Sequence, residues 1–199
     1  TLLGTSTGYD NSPLGPTHHI VDDWGVLKSI PGIDIYCPSS VTYAACLVDR
    51  ILDEARPAYV RIPKGEYAEP ASDEHVVKLP GESDDILLVS YGNLVQVCLE
   101  TRRCDPRLSV LVVNRLRPLD EESILEMLTP HRRIVVVEDH FPQTGLYGSL
   151  CELVVRSSLR GSLESAAPKG YTFDVGTSSG YFFRKFGMDV ASLLQLTGH

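Results

Sequence analysis

Short apolar runs alternate along the chain with longer segments in which apolar residues recur every three or four positions. Near-continuous apolar runs are typical of strands buried on both faces of a parallel sheet, whereas the longer spacing is typical of a helix with one buried face. Together they predict an α/β fold with parallel strands. The predicted strands are 33–36, 58–62, 85–89, 109–113 and 134–137, and the predicted helices are 41–54, 94–101, 121–128 and 190–196.

Capping signals place two of these helices. Ser40 precedes the helix predicted at 41–54, and Asp120 precedes the helix predicted at 121–128, whose first turn is acidic. Serine and aspartate side chains accept hydrogen bonds from the free N–H groups of a first turn. We therefore expect both helices to begin directly after these residues.

Prolines and glycines interrupt the pattern between residues 63 and 83, where charged residues are frequent. This composition predicts two parts, residues 1–72 and 84–199, joined by a linker at 73–83. The second part contains complete strand–helix–strand units. The first offers only two or three strands, too few for an independent parallel sheet, so we expect it to be the latter part of a larger domain. Residues 159–179 are predicted as a surface excursion.

Charge and composition narrow the function classes. The chain has 18 Lys and Arg against 26 Asp and Glu, a formal net charge of -8, which disfavours binding to nucleic acid or to anionic membranes. No apolar run approaches the roughly 20 residues that span a bilayer, and the first residues show no signal-peptide pattern. We therefore expect a cytoplasmic location. The five cysteines form no C-x-x-C pair and are predicted to be reduced thiols without assigned chemistry.

The densest candidate for chemistry is a turn that carries two adjacent histidines. Gly15 and Pro16 predict a tight turn, and His18 and His19 follow it. Neighbouring side chains point in different directions, so one imidazole can face a pocket while the other packs. Imidazole suits proton exchange near neutral pH and hydrogen bonding to sugar hydroxyls. The alternative is a pair of solvated loop histidines or a weak metal pair, and two histidines alone make a poor zinc site.

Arg61 is a second candidate, at the end of the strand predicted at 58–62. Parallel α/β sheets bind ligands at this carboxyl edge, and the guanidinium fork suits a phosphate. The alternative is a structural ion pair with a nearby acid.

Glu138, Asp139 and His140 follow the strand predicted at 134–137 and precede a glycine-containing turn. These acids either serve a site or cap the next helix, and capping is favoured because no nucleophile or phosphate-binding loop lies nearby. No G-x-S-x-G motif follows a strand, which gives no support to a Ser-His-Asp hydrolase.

Several short motifs are specific only as an ordered set. They are Gly15-Pro16-Thr17-His18-His19 with Val21-Asp22-Asp23, Ile30-Pro31-Gly32-Ile33, Cys37-Pro38, Tyr59-Val60-Arg61 with Lys64-Gly65, Leu87-Leu88-Val89-Ser90-Tyr91-Gly92-Asn93, Val112-Val113-Asn114-Arg115-Leu116-Arg117-Pro118-Leu119-Asp120 and Val136-Val137-Glu138-Asp139-His140. In this order, over roughly residues 1 to 190, the set resembles the carboxyl-terminal half of the transketolase family of thiamine-diphosphate enzymes.

The resemblance implies that residues 1–72 are the C-terminal part of a pyrimidine-binding domain and that residues 84–199 are the transketolase C-terminal domain. It implies transfer of a two-carbon ketol unit from a ketose or ketose phosphate to an aldehyde. Thiamine diphosphate and Mg²⁺ would be held mainly by an amino-terminal partner subunit, and self-association would give a heterotetramer. Because the family's catalytic glutamate is expected upstream of Thr1, this chain alone is expected to be inactive.

Residue by residue, the resemblance gives His18 a catalytic role facing the substrate channel. It implies substrate binding by His18, His19 and Arg61, and it assigns no cofactor-binding residue. His19 stands where many transketolases carry Gln, and Leu14 where they carry Asp, which resembles the split transketolases. Two enzyme alternatives keep the cofactor, a 1-deoxyxylulose-5-phosphate synthase and a 2-oxoacid dehydrogenase beta subunit. A third alternative is a non-catalytic dimerisation or docking module.

Overall fold

The computed structural model describes residues 1–65 and 67–198, which form two mostly parallel sheets with helices packed against them. The α/β prediction is confirmed. In chain order the elements are β1 (Leu2–Thr5), α1 (Asp23–Leu27), β2 (Asp34–Tyr36), α2 (Val41–Glu54), β3 (Ala58–Ile62), β4 (Val76–Leu79), β5 (Ile86–Ser90), α3 (Leu94–Cys104), β6 (Ser109–Val113), β7 (Arg115–Arg117), α4 (Glu121–Leu128), β8 (Arg133–Val137), α5 (Leu146–Val155), β9 (Ser162–Ala166), α6 (Ser179–Lys185) and α7 (Val190–Thr197).

The first sheet has the strand order β1-β3-β2-β7. Its first three strands are parallel, and β7 joins β2 in the antiparallel direction. Helix α2 covers one face, where Tyr43 and Leu47 pack on apolar residues of β2 and β3. Ser40 caps this helix as expected, since its hydroxyl accepts a hydrogen bond from the Tyr43 N–H at 3.3 Å.

The second sheet has the order β4-β6-β5-β8-β9, in which only β4 runs antiparallel. The central strands are the predicted apolar runs, and their side chains are buried on both faces. Helix α4 begins after Asp120, whose carboxylate accepts a hydrogen bond from the Ser123 N–H at 3.2 Å. Both capping predictions are confirmed.

The structure differs from the predicted boundaries in three places. Residues 76–79 of the predicted linker form β4, because their backbone pairs antiparallel with the edge of β6 while Val77 and Leu79 pack against the buried core. Strand β7, from the predicted second part, completes the first sheet. Strand β9 lies within the predicted surface excursion and pairs with β8 over its whole length. The division of the chain at residues 72 and 84 stays a prediction.

The two sheets share their core. One buried cluster joins Trp24, Ile35 and Tyr59 of the first part to β5, β6 and β8 of the second sheet. On the other face of that sheet, Tyr9 and Val21 pack with residues of α3, α6 and α7. The turn that carries His18 and His19 therefore lies against the second sheet and its helices. Among the described residues, no helix combines the length and hydrophobicity needed to cross a bilayer.

Candidate functional site

Residues 9–19, here called the histidine turn, project from a closed base. Gly8 and Ile20 exchange backbone hydrogen bonds of 3.0 and 2.8 Å at that base. Two short 3₁₀ segments, residues 12–14 and 16–18, follow one another through Gly15. Gly15 has a φ of 77°, in the left-handed region that side chains with a Cβ rarely occupy. The glycine in Gly-Pro-Thr-His therefore makes the sharp change of direction possible.

His18 lies on the outer side of this turn and is exposed. Its Nδ1 is 3.0 Å from the Thr17 hydroxyl, so the neighbouring residue helps to fix the ring. The remaining ring nitrogen can donate to or accept from a ligand oxygen, depending on the tautomer. His18 is thus the histidine of the pair that a substrate can reach.

His19 points inward and is only 7% exposed. Its ring packs edge-on against Tyr9 and Phe182, with centroid distances of 5.1 and 4.7 Å. Burial, the largest influence, lowers the pKa of its imidazole, which favours the neutral ring. His19 therefore anchors the turn. Direct contact between His19 and a substrate stays a prediction, and it would require this aromatic cluster to open.

Arg61 lies at the carboxyl end of β3, as predicted, but its guanidinium is buried in an ion-pair network with Asp23 and Asp139. Its Nε is 3.0 Å from Asp23 Oδ2, and one terminal nitrogen donates to Asp139 Oδ1 at 2.7 Å. The other terminal nitrogen donates to the Ile20 carbonyl at 2.9 Å. The side chain is 1% exposed. These contacts match the ion-pair alternative, and phosphate binding by Arg61 stays a prediction that requires the network to open.

The ion-pair network supports the histidine turn from below. Arg61 holds Ile20, one half of the base of the turn. Gly8, the other half, packs so closely on Asp139 that an added Cβ would lie 1.9 Å from the carboxylate. Burial alone would raise the pKa of Asp23, but Arg61, the Tyr59 hydroxyl and His140 together hold it below its ordinary value. A charged network thus joins β3, α1 and the end of β8 beneath the turn.

Glu138 is the helix cap that the sequence favours. Its carboxylate accepts hydrogen bonds from the N–H groups of Leu146 and Tyr147, at 2.8 and 3.0 Å, in the first turn of α5. It also accepts one at 3.1 Å from the hydroxyl of Tyr91, which in turn accepts one from the Trp24 indole. Burial raises the pKa of Glu138 to about 8 against the opposing effect of these donors. Sequence reasoning missed Tyr91 and Trp24, because nothing local marks them as its partners.

Replacing Glu138 with glutamine should flatten the dependence of stability on pH. Because the folded-state pKa is about 8 and the ordinary value is 4.5, folding takes up a proton between these values, and stability falls as the pH rises through this window. One proton corresponds to about 1.4 kcal/mol per pH unit. Between pH 5 and 7, we expect the free energy of unfolding of the wild type, measured in urea, to fall with a contribution of up to this slope from Glu138. In Glu138→Gln this contribution should be absent.

Glu164→Gln is the matched control for that measurement. Hydrogen bonds from Arg133 lower the pKa of Glu164, so its stabilisation is present at neutral pH and is lost as the pH falls. Because this loss begins only near the ordinary value of 4.5 and continues below it, Glu164→Gln should leave the slope between pH 5 and 7 nearly unchanged. A wild-type slope in Glu138→Gln would show that the carboxyl group does not titrate in this window.

A polar cavity of about 360 Å³ lies beside the histidine turn. Lys64 is exposed at its rim and donates a side-chain hydrogen bond to Asn11 of the turn. Asp10 accepts hydrogen bonds from the Lys64 backbone N–H at 2.8 Å and from the Asn93 side chain at 3.0 Å. Lys64 is thus an accessible cation next to the turn, whereas Arg61 is buried.

Two other features do not add to the site. An apolar cavity of about 300 Å³ lies between β1 and α2, and no histidine, acid or cation lines it among the described residues. No group of three or more His, Cys, Asp or Glu side chains within residues 1–65 and 67–198 could hold a metal ion. The cysteines are free thiols, of which Cys37 and Cys98 are buried.

Comparison with known proteins gives a consistent picture. The family model for the transketolase C-terminal domain matches residues 75–193. One of the apulose-4-phosphate transketolase subunits of Actinobacillus succinogenes is 28% identical over 163 residues, which cover 77% of this chain and 52% of that protein. The 1-deoxy-D-xylulose-5-phosphate synthase of Halothermothrix orenii is 26% identical over 158 residues, covering 74% and 25% respectively. The chain thus spans about half the length of the first relative and a quarter of the second.

Solved structures agree on the fold. A split-gene transketolase, described as an inactive beta4 tetramer, aligns with a TM-score of 0.79 at 17% identity and covers 97% of this chain and 64% of that one. The transketolase from Leishmania mexicana aligns with a TM-score of 0.75 at 16% identity and covers 96% and 28%. The family model and the shared fold confirm the resemblance seen in the motifs. This chain belongs to the transketolase family and carries its C-terminal domain.

Proposed function

We propose that this chain is the C-terminal subunit, or the C-terminal part, of a thiamine-diphosphate-dependent transketolase that transfers a two-carbon ketol unit from a ketose or ketose phosphate to an aldehyde. The observation that carries the proposal is the exposed His18 on a turn whose base and neighbours are fixed. A relative with 28% identity is named as one subunit of a transketolase, which supports a division of the enzyme between two chains.

His18 would act on the substrate. The bound cofactor supplies the carbanion that adds to the ketose carbonyl in this family. The imidazole of His18 would hydrogen-bond a hydroxyl or carbonyl oxygen of the sugar and hold it in register during bond cleavage. Its rigid backbone keeps the ring oriented before the substrate arrives. We assign Mg²⁺ and the cofactor diphosphate to the amino-terminal partner.

A phosphate on the substrate would meet Lys64. Its ammonium group is exposed beside the histidine turn, whereas the donors of Arg61 are occupied by carboxylates and a carbonyl. A lysine binds phosphate as a compact point charge and needs no planar alignment. Asp10 and Glu100 also line this cavity, so we expect the phosphate to meet Lys64 at the rim, next to Asn11 of the histidine turn.

Mixing the subunits tests the proposal. Neither this chain nor an amino-terminal transketolase subunit from the same organism should transfer a ketol unit alone, and the mixture should do so with thiamine diphosphate and Mg²⁺. A coupled assay on a set of ketose phosphates and aldehydes would measure the activity, and light scattering would establish whether the complex is a heterotetramer. Ketol transfer by this chain alone, or inactivity of a complex that forms, would contradict the proposal.

A second candidate function is 1-deoxyxylulose-5-phosphate synthesis, because the chain is 26% identical to such a synthase over 158 residues. That reaction begins with decarboxylation of a 2-oxoacid. Release of carbon dioxide from pyruvate by the reconstituted complex, without ketol transfer from a ketose, would favour this function.

A further inference from the structure

The second sheet sends a segment without helix or strand back to the histidine turn. We call residues 171–175 the strap. The hydroxyl of Tyr171 donates a hydrogen bond to Asp22 Oδ2, just beyond the turn. At the other end, Val175 lies over Gly15, where an added Cβ would be 3.3 Å from Val175 Cγ2. The strap therefore contacts Gly15, which precedes His18 in the sequence, and Asp22, which follows it.

Helix α6 holds the strap in place. Asp174 forms an ion pair with Lys185 and accepts a hydrogen bond from the Tyr181 hydroxyl at 2.8 Å. Lys185 also donates to the Thr172 hydroxyl at 3.0 Å. The Tyr171 ring packs edge-on against Phe141, with a centroid distance of 4.8 Å. These contacts give the strap a fixed path although it has no regular secondary structure.

The same helix also holds the histidine turn directly. Phe182 is fully buried and packs against His19 at 4.7 Å and against Tyr9 at 4.3 Å. The turn is therefore fixed at Gly15 by the strap and at His19 by α6. His18 lies between these two points in the sequence and is left exposed.

We infer that the strap is a positioning element for His18, through Tyr171 and Val175, so that the second sheet and its helices determine how this imidazole meets the substrate. The inference rests on the proposed function for its effect on catalysis. Its structural part concerns only this chain. An exposed ring has few contacts of its own, so its orientation depends on the backbone that carries it.

The test compares Tyr171→Phe and Val175→Ala with the control Tyr147→Phe, a tyrosine of α5 that packs against the buried cluster containing Trp24 and Leu146. In the full chain labelled with ¹³C-histidine, we expect both strap variants to shift the ring resonances of His18 and the control to leave them unchanged. In the reconstituted enzyme, Tyr171→Phe should lower kcat/KM roughly three- to tenfold, the range for one hydrogen bond. Its melting temperature should stay close to that of the control.

The His18 resonances test the positioning role, and the kinetics test the proposed function. Unchanged His18 resonances in both strap variants would overturn the positioning role, whatever the activity. Shifted resonances in a chain whose complex transfers no ketol unit would leave the positioning role intact and contradict the proposed function. A loss of activity in Tyr171→Phe that only follows a loss of folded protein would also overturn the inference.

Discussion

Replacing Arg61 with methionine is expected to lower the free energy of unfolding by about 3–5 kcal/mol, the range for removing one partner of a buried ion pair. The guanidinium is 1% exposed and lies between Asp23 and Asp139. Methionine fills much of the volume but leaves both carboxylates without their cation. Urea unfolding followed by the fluorescence of Trp24, the single tryptophan, would measure the change.

Arg103→Met is the matched control, because it removes the same charge from an exposed pair. Arg103 lies 2.7 Å from Glu69, but the two side chains are 61% and 62% exposed. Such a pair contributes about 0–1 kcal/mol. A cost for Arg61→Met no larger than that of Arg103→Met would contradict a structural role for the network.

Acid pH should reduce the difference in the free energy of unfolding between the wild type and Arg61→Met. In the wild type, Arg61 helps to hold the pKa of Asp23 below its ordinary value, which adds stability at neutral pH that is lost as the pH falls. The variant lacks this contribution, so it has less to lose on acidification. If Arg61→Met instead folds normally and raises KM only for phosphorylated substrates, phosphate binding by Arg61 would be supported.

The sequence predicted the elements whose packing is decided locally. The apolar runs at 85–89, 109–113 and 134–137 are central strands, because a strand buried on both faces must be apolar throughout. It did not predict β7 or β9. Three residues in β7 and the polar pattern of β9 carry little periodic signal, and both strands form because a distant strand offers an open edge.

The candidate site also combines features that the local sequence predicts with features that depend on distant residues. The tight turn at Gly15 and the divergence of His18 and His19 follow from residue types alone. The burial of Arg61 does not, because it depends on Asp139, which lies 78 residues further along the chain. Phe182, which clamps His19, was also missed, although Phe182 and Phe186 at a four-residue spacing indicate a helix face. Long-range partners therefore decide which candidate residues reach solvent.

Replacing His18 with alanine should lower kcat/KM of the reconstituted complex by about one to three powers of ten. This is the effect of losing one hydrogen bond to the reacting sugar, worth about 1.5–4 kcal/mol. The ring is exposed and contacts mainly Thr17, so its removal should leave the melting temperature nearly unchanged. Steady-state kinetics on the mixed subunits, with each variant first checked for complex formation, would measure the change.

Thr17→Val is the control that separates the ring from its support. It keeps the imidazole and removes only the 3.0 Å contact with Nδ1. Its effect should therefore be smaller than that of His18→Ala and should fall mainly on KM, because a less restrained ring still reaches the substrate. His19→Ala is expected to behave in the opposite way, with a lowered melting temperature, because its ring packs against Tyr9 and Phe182. Unchanged kinetics in His18→Ala together with a lowered melting temperature would assign His18 to the fold, and the substrate-facing role would then have to pass to another group on the histidine turn.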